Sequence, residues 1–217
     1  NVIVITLDTT RVDRFGVYGN TDDLTPNFDA FAAEGVQFER AIAQASTTPV
    51  SHASMFTGLL PSEHGTFHTS RMLPDELDTI AELLSGAGFR TYLFAANPHI
   101  SEKQNFQQGF DVREHPWDAR YREEAIRIVQ SKVPADDRSS DRPAKLQAGN
   151  LKPWHIKAAG TLTRRGLLEW LDKEDGDRPW FAFLNYMEAH IPYIPPRELR
   201  LRFLSEEQVD RSYEIDN

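Results

Sequence analysis

Residues 44–58 read QASTTPVSHASMFTG and crowd six hydroxyl side chains, Ser46, Thr47, Thr48, Ser51, Ser54 and Thr57, around one proline and one histidine. Side chains of this kind either attack as alcohols or bind an oxyanion. Pro49 suits the first turn of a helix and Gly58 its end, so a helix is expected to start near 49–51. Pro49 also disfavours helix at Thr48, which sets Thr48 just outside the first turn. There a hydroxyl stands among unpaired backbone N–H groups at the positive end of the helix dipole, where an alkoxide or a bound oxyanion is favoured. A plain N-cap role fits the same position, and the residue type alone does not separate the two. An alcohol that ionises far above neutral pH needs an activator, which a bound metal supplies. Asp8, closing the apolar run NVIVITLD, is the natural carboxylate for that metal, with Thr48 as a second ligand.

Other candidates sit at the ends of apolar runs. FRTYLFAAN stops at Asn97, and PWFAFLNYMEAH stops at Glu188 and His190. In open α/β sheets ligands bind beyond the carboxyl ends of the strands, so three polar ends favour a shared site over chance loop polarity. Asn97 reads equally as a substrate contact or a loop cap. His190, taken as a lone histidine, reads as structural, with a donor role at the strand end as the alternative. His52, four residues past Thr48, shares its face only if the helix has begun by Thr48, and divides evenly between active-site donor and loop support. His64, in a turn before Gly65, reads as structural, and His99 more weakly still. Arg11 and Arg14 receive no role.

The elements that must position these residues follow from the hydrophobic pattern. NVIVITLD reads as a strand buried on both faces, residues 89–95 as a second buried strand, and the run PWFAFLNYMEAH as supplying a third. TPNFDAFAAEG reads as a helix with Thr25 as N-cap, Pro26 at its first position and Gly35 as its stop. LPDELDTIAELLSGAG, with Pro74 near its start, and AAGTLTRRGLLEWLDKED are further helices. Residues 131–152, polar and rich in Pro and Asp, read as a surface loop or insertion. The order predicts an α/β fold, a largely parallel sheet sandwiched by helices. Its 217 residues suffice for one domain. The formal charge is −9, from 33 acidic and 24 basic residues, without a basic cluster, which argues against nucleic-acid partners. The chain has no cysteine, so thiolate nucleophiles and disulfides are excluded. No apolar run approaches ~18 residues, so no membrane span is expected in this segment. No signal peptide is visible, yet the chain opens without Met, which is compatible with a trimmed leader. Compartment and oligomeric state are not legible.

Five segments in order, TPNFDAFAAEGVQF, TPVSHASMFTGLLPSEHG, TIAELLSGAGFRT, QGFD and NYMEAHIPYIPP, resemble the sulfatase branch of the alkaline phosphatase superfamily, from Asn1 to about Pro196. The family's nucleophile lies ten residues before the glycine of a T-G pair, which selects Thr48 before Gly58. The usual pattern is C/S-x-P-x-R with a cysteine or serine matured to formylglycine. Here threonine is not a substrate for that maturation, His52 replaces the arginine, and the proline is displaced to Pro49. Nucleotide pyrophosphatase/phosphodiesterases, with an unmodified threonine and T-x-P-x-H, resemble the block better. The resemblance implies that Asp8 is a metal ligand, that Thr9 replaces a second Asp, and that His190 contacts the ester oxygens. It implies a divalent ion (Ca, Mn or Zn) and a metal-dependent hydrolase of sulfate or phosphate esters that acts through a covalent threonine intermediate on a small molecule or glycan. It also implies that residues 1–217 form the N-terminal part of the catalytic domain, the remaining ligands lying in a later part. A phospho-alcohol transferase of the same superfamily and a non-catalytic oxyanion-binding module are the alternatives.

Overall fold

The computed structural model describes residues 1–67, 72–131, 160–173, 177–190 and 195–215. In chain order these form β1 (Val2–Leu7), α1 (Pro26–Ala32), α2 (Thr48–Thr57), α3 (Pro61–His64), α4 (Ile80–Gly86), β2 (Arg90–Ala95), β3 (Val112–Glu114), α5 (Arg122–Ser131), α6 (Gly160–Lys173), β4 (Trp180–Tyr186), α7 (Arg197–Arg200) and α8 (Glu206–Ile215), with three short 3-10 turns. The strands run in the order β1-β4-β2-β3, and every described pair is parallel. This is the α/β class expected from the sequence.

Period-two alternation builds the layers. Tyr92 and Phe94 of β2, with Ala182 and Leu184 of β4, pack against Tyr121, Ala125, Leu162 and Trp170 from the α5–α6 side. Leu93, Ala95, Phe181 and Phe183 face the other way, onto Ala53 and Phe56 of α2 and Ala81 of α4. Phe56 anchors that second layer, with its ring centroid 4.7 Å from that of Phe183. The two central strands are therefore apolar on both faces, and the sheet lies between two helical layers.

Some expectations are corrected. β1 is not buried on both faces: it is the edge strand, paired only with β4 among the described residues, and Ile5 is 52% exposed. An apolar run does not encode strand order. The helix expected from Pro74 starts six residues later, because Thr79 accepts from the Glu82 N–H while the Glu82 carboxylate accepts from Thr79, a capping box. Thr25 does not cap α1 with its side chain; its hydroxyl donates to Asp29 at 3.0 Å and accepts from the Gly16 N–H. Strand β3 and helix α5 are not among the elements expected from the sequence. The expected loop at 131–152 lies outside the described residues, apart from Ser131 at the end of α5. No helix among the described residues is long and apolar enough to cross a membrane.

Candidate active site

The same alternation that buries apolar side chains under α2 places polar ones at the sheet's carboxyl edge. On β1 the face that carries Val4 continues through Thr6 to Asp8; on β2, Leu93 and Ala95 lead to Asn97; on β4, Phe181 and Phe183 lead to Asn185. Asp8 stays in the ladder by donating its N–H to Tyr186 O at 2.9 Å. Helix α2 brings its first residue, Thr48, over this edge.

Asn97 joins the strand ends. Its side-chain nitrogen donates to Asp8 Oδ2 at 2.6 Å and to Thr48 Oγ1 at 3.1 Å. The orientation of the amide is fixed, since its Oδ1 accepts the backbone N–H of His99 at 2.9 Å. Asn97 is buried, and both amide hydrogens point at the two residues singled out from sequence. Asp8 and Thr48 are thus brought together, and the Asn97 amide is occupied in holding them.

Thr48 takes a different local position from the one expected. Thr47, extended at φ −113° and ψ 140°, precedes the helix, and the Ser51 N–H donates to Thr47 O at 3.0 Å. Thr48 is the first helical residue, because a proline at the second position gives up only an N–H that has no intrahelical acceptor anyway. The hydroxyl still lies at the positive end of a ten-residue helix.

His52 lies beneath the helix rather than on its outer surface. Its Nδ1 is 2.9 Å from Thr48 O, and a carbonyl only accepts, so Nδ1 carries the proton. The ring is buried edge-on between Phe56 and Phe183, and its Nε2 has no hydrogen-bond partner among the described residues. Burial holds its pKa below the ordinary histidine value, opposed by the Thr48 carbonyl and by Asp8. The Nδ1 bond of this ring is thus to the backbone of Thr48 itself, at the start of the helix. His64 is structural: it accepts the Thr66 N–H at Nδ1, so Nε2–H donates to Ser54 Oγ at 3.0 Å. That ring cannot act as a base toward Ser54.

His190 follows β4 in a turn closed by its N–H to Met187 O at 3.0 Å, and is half-buried. His99 joins it. Its pKa is lowered first by burial, then by His190, with Asp8 acting in the opposite direction, so both groups lie within its electrostatic reach. The sequence signal for His99 is its place two residues past the strand-end Asn97. Glu188, by contrast, turns away and accepts the N–H of Gly160 at the start of α6.

The residues present do not by themselves fit a divalent ion. Among the described residues no three His, Cys, Asp or Glu side chains converge. Asp8 offers one carboxylate, one oxygen of which already accepts from Asn97. Thr9 is turned aside, with its hydroxyl donating to Ala189 O at 2.9 Å.

The family model for sulfatases matches residues 1–210. This chain belongs to the sulfatase family. Among curated proteins it is similar to an arylsulfatase of Clostridium perfringens, 22% identical over 216 residues, which cover 91% of this chain and 44% of that protein. It is 24% identical to the N-acetylgalactosamine-6-sulfatase of Canis lupus familiaris over 242 residues, covering 100% of this chain and 45% of the relative. Among solved structures, the phosphonate monoester hydrolase of Agrobacterium radiobacter superposes with a TM-score of 0.65 at 21% identity, over 94% of this chain and 44% of that one. The chain spans less than half the length of these sulfatase-family relatives. Their likeness extends to the fold of the superfamily, which the sequence motifs anticipated.

Proposed function

We propose that the intact protein hydrolyses sulfate or phosphate esters, with Thr48 as the nucleophile. The observation that carries this reading is the Asn97 amide, which bridges the Asp8 carboxylate and the Thr48 hydroxyl at the start of α2. An N–H aimed at Oγ1 strengthens as that oxygen gains negative charge, and the helix dipole acts in the same direction. The hydroxyl proton passes to Asp8, held beside Thr48 by the same amide group, as Oγ1 attacks sulfur or phosphorus in line. The bond to the leaving oxygen breaks, and that oxygen takes a proton from the His190 imidazolium. A covalent threonine ester remains. Water then attacks the same sulfur or phosphorus and gives a proton to His190, while Oγ1 leaves and recovers its proton from Asp8. Each histidine and carboxylate returns to its starting state.

Among the described residues Asp8 is the one carboxylate bonded to Asn97 beside Thr48, and no group of three metal-ligating side chains converges, so the chemistry above is assigned to side chains alone. Metal dependence of the intact protein requires ligands besides Asp8. Similarity to a protein named for a 6-sulfated N-acetylgalactosamine supports a sulfated sugar as one substrate class to try first. The one-carboxylate donor set also favours a second reading, an oxyanion-binding module that does no chemistry.

Substrate trials with the intact protein separate the two. Aryl sulfate, phosphate monoester, phosphate diester and phosphonate monoester are offered in turn, and turnover is quenched in acid. A sulfate- or phosphate-sized adduct mapped to Thr48 by mass spectrometry is expected. Turnover with an adduct elsewhere defeats the nucleophile; anion binding without turnover selects the second reading.

A further inference from the structure

Asn185 is a polar residue inside the apolar run FAFLNYM, fully buried on β4, the strand that separates β1 from β2. Its register partners are Thr6 on one side and Ala95 on the other, so it stands one row before the sheet edge that carries Asp8 and Asn97. Its backbone carbonyl takes the Ala96 N–H at 3.2 Å, the last ladder bond of β2. Beyond that bond the chain leaves the sheet, and the next N–H, that of Asn97, would be buried without a backbone acceptor. The Asn185 side chain supplies it: Oδ1 accepts the Asn97 N–H at 2.9 Å. Its Nδ2 meanwhile donates to Thr6 Oγ1 on β1 at 3.0 Å.

We infer that Asn185 is a positioning residue for the Thr48 site, acting through Asn97; this rests on Thr48 being the reacting group. One buried amide ties the strand that ends in Asp8 to the strand that ends in Asn97. It thereby fixes the point from which the Asn97 amide reaches both Asp8 and Thr48. Bonds of 2.6 and 3.1 Å from one nitrogen leave little room for that point to move. A displacement of about 1 Å in such a group costs about 10²-fold in rate. Its neighbours Phe181, Phe183 and Leu184 on the same strand are buried and apolar, so the amide stands out there by its hydrogen bonds to both flanking strands.

The test is a double-mutant cycle in the intact protein, with Asn185→Leu, Asn97→Ala and the pair. Asn185→Leu is expected to lower kcat about 10²-fold with KM unchanged, and the pair to be no slower than Asn97→Ala alone. Asn185→Asp, which keeps the acceptor for the Asn97 N–H, is expected to recover most of the loss. Asn185→Ser, too short to reach Asn97, substitutes for the leucine variant if that one does not fold. Multiplying effects in the pair, or wild-type kcat in both Asn185→Leu and Asn185→Ser, overturn the inference. An active Thr48→Ala protein instead defeats the nucleophile assignment on which the inference rests. A readout without activity stands beside these: the two side-chain amide proton signals of Asn97 are expected to shift in Asn185→Leu. Unchanged signals there also overturn the inference.

Discussion

The hydroxyl of Thr9 donates to the carbonyl of Ala189 at 2.9 Å, and both residues have positive φ, 53° and 81°. This bond ties the turn after β1, which carries Asp8, to the turn before His190. Neither residue type favours the left-handed region, and the β-branched Thr least of all. The strain lies at the edge where the candidate site is assembled, which is where such outliers concentrate.

Ala189→Gly is therefore expected to stabilise the protein. Relief of the left-handed penalty is worth about 1–2 kcal/mol, against about 0.5–1 kcal/mol for the greater freedom of glycine in the unfolded chain. The net gain of about 0.5–1 kcal/mol is read as a higher urea midpoint. A lower midpoint would show that the Ala189 methyl makes contacts that outweigh its strain.

The sequence shows the strand ends well, for a physical reason. In a parallel sheet the carboxyl ends share one edge, so Asp8, Asn97 and His190 could be placed together from three apolar runs. Thr48 and His52 share a face of α2 because the helix begins at Thr48, and the structure joins them through the Thr48 carbonyl. What the pattern could not give is strand order, so the edge position of β1 was missed. Nor could it show that Thr48 enters the helix, since Pro49 tolerates either side of the boundary. Asn185 was hidden because an asparagine within FAFLNYM looks like an interruption of a core strand. Its meaning depends on two residues nearly 90 and 180 positions away.

Gly166 provides a stability test remote from the site. A methyl group there would stand 2.6 Å from the Tyr92 hydroxyl, 2.7 Å from that of Tyr121 and 2.9 Å from Glu114 Oε2. Both phenols donate to that carboxylate oxygen, and burial, then the Glu114 bond, pushes their pKa values up. Gly166→Ala should cost about 1–3 kcal/mol by overpacking, with the urea midpoint lowered at constant slope. The kcat of the molecules that remain folded should be unchanged; a fall in kcat would extend the site to the α6 face.

Acid should weaken the fold through its buried histidines. The His52 pKa is held below its ordinary 6.5 by burial, and those of His64, His99 and His115 are lowered from 6.5 for the same leading reason. Below about 6.5 the unfolded chain binds protons that the folded protein takes up only at lower pH, so stability rises with pH through that window and levels off above it. Urea unfolding at about pH 5 and about pH 7.5 measures the difference. His52→Gln, which cannot titrate, should show a smaller loss; an equal loss would mean that His52 is not among the groups responsible.

Divalent ions should bind poorly to the ligands that the described residues supply at this site, the Asp8 carboxylate and the Thr48 hydroxyl. One carboxylate and neutral oxygens fall short of the six to eight oxygens that calcium takes, so Ca²⁺ and Mn²⁺ affinities weaker than about 1 mM are expected by titration calorimetry. The intact protein should bind more tightly if further ligands lie outside the described residues. Tight binding by residues 1–217 that survives Asp8→Asn would show that the ligands are other side chains.

Thr48 can be separated from its neighbours by stability and chemistry together. The N-cap of α2 is Thr47, without a side-chain capping bond, and Thr48 is already inside the helix, so Thr48→Ala leaves the N-cap residue unchanged. It loses the Asn97 bond, at about 0.5–1.5 kcal/mol, and the protein should still fold. Activity should nevertheless fall by about four powers of ten or more, as when a nucleophile is removed. Thr48→Ser keeps the oxygen and should keep part of the activity. Thr48→Val keeps the shape without the oxygen and should match the alanine variant. Thr47→Ala and Ser51→Ala remove hydroxyls that make no bond to Asp8 or Asn97 among the described contacts, and should cost little. Rates of the five variants in the intact protein, set beside their unfolding midpoints, decide the matter. Wild-type turnover in Thr48→Val would end the nucleophile assignment, and collapse of Thr47→Ala alone would transfer it to the neighbouring hydroxyl.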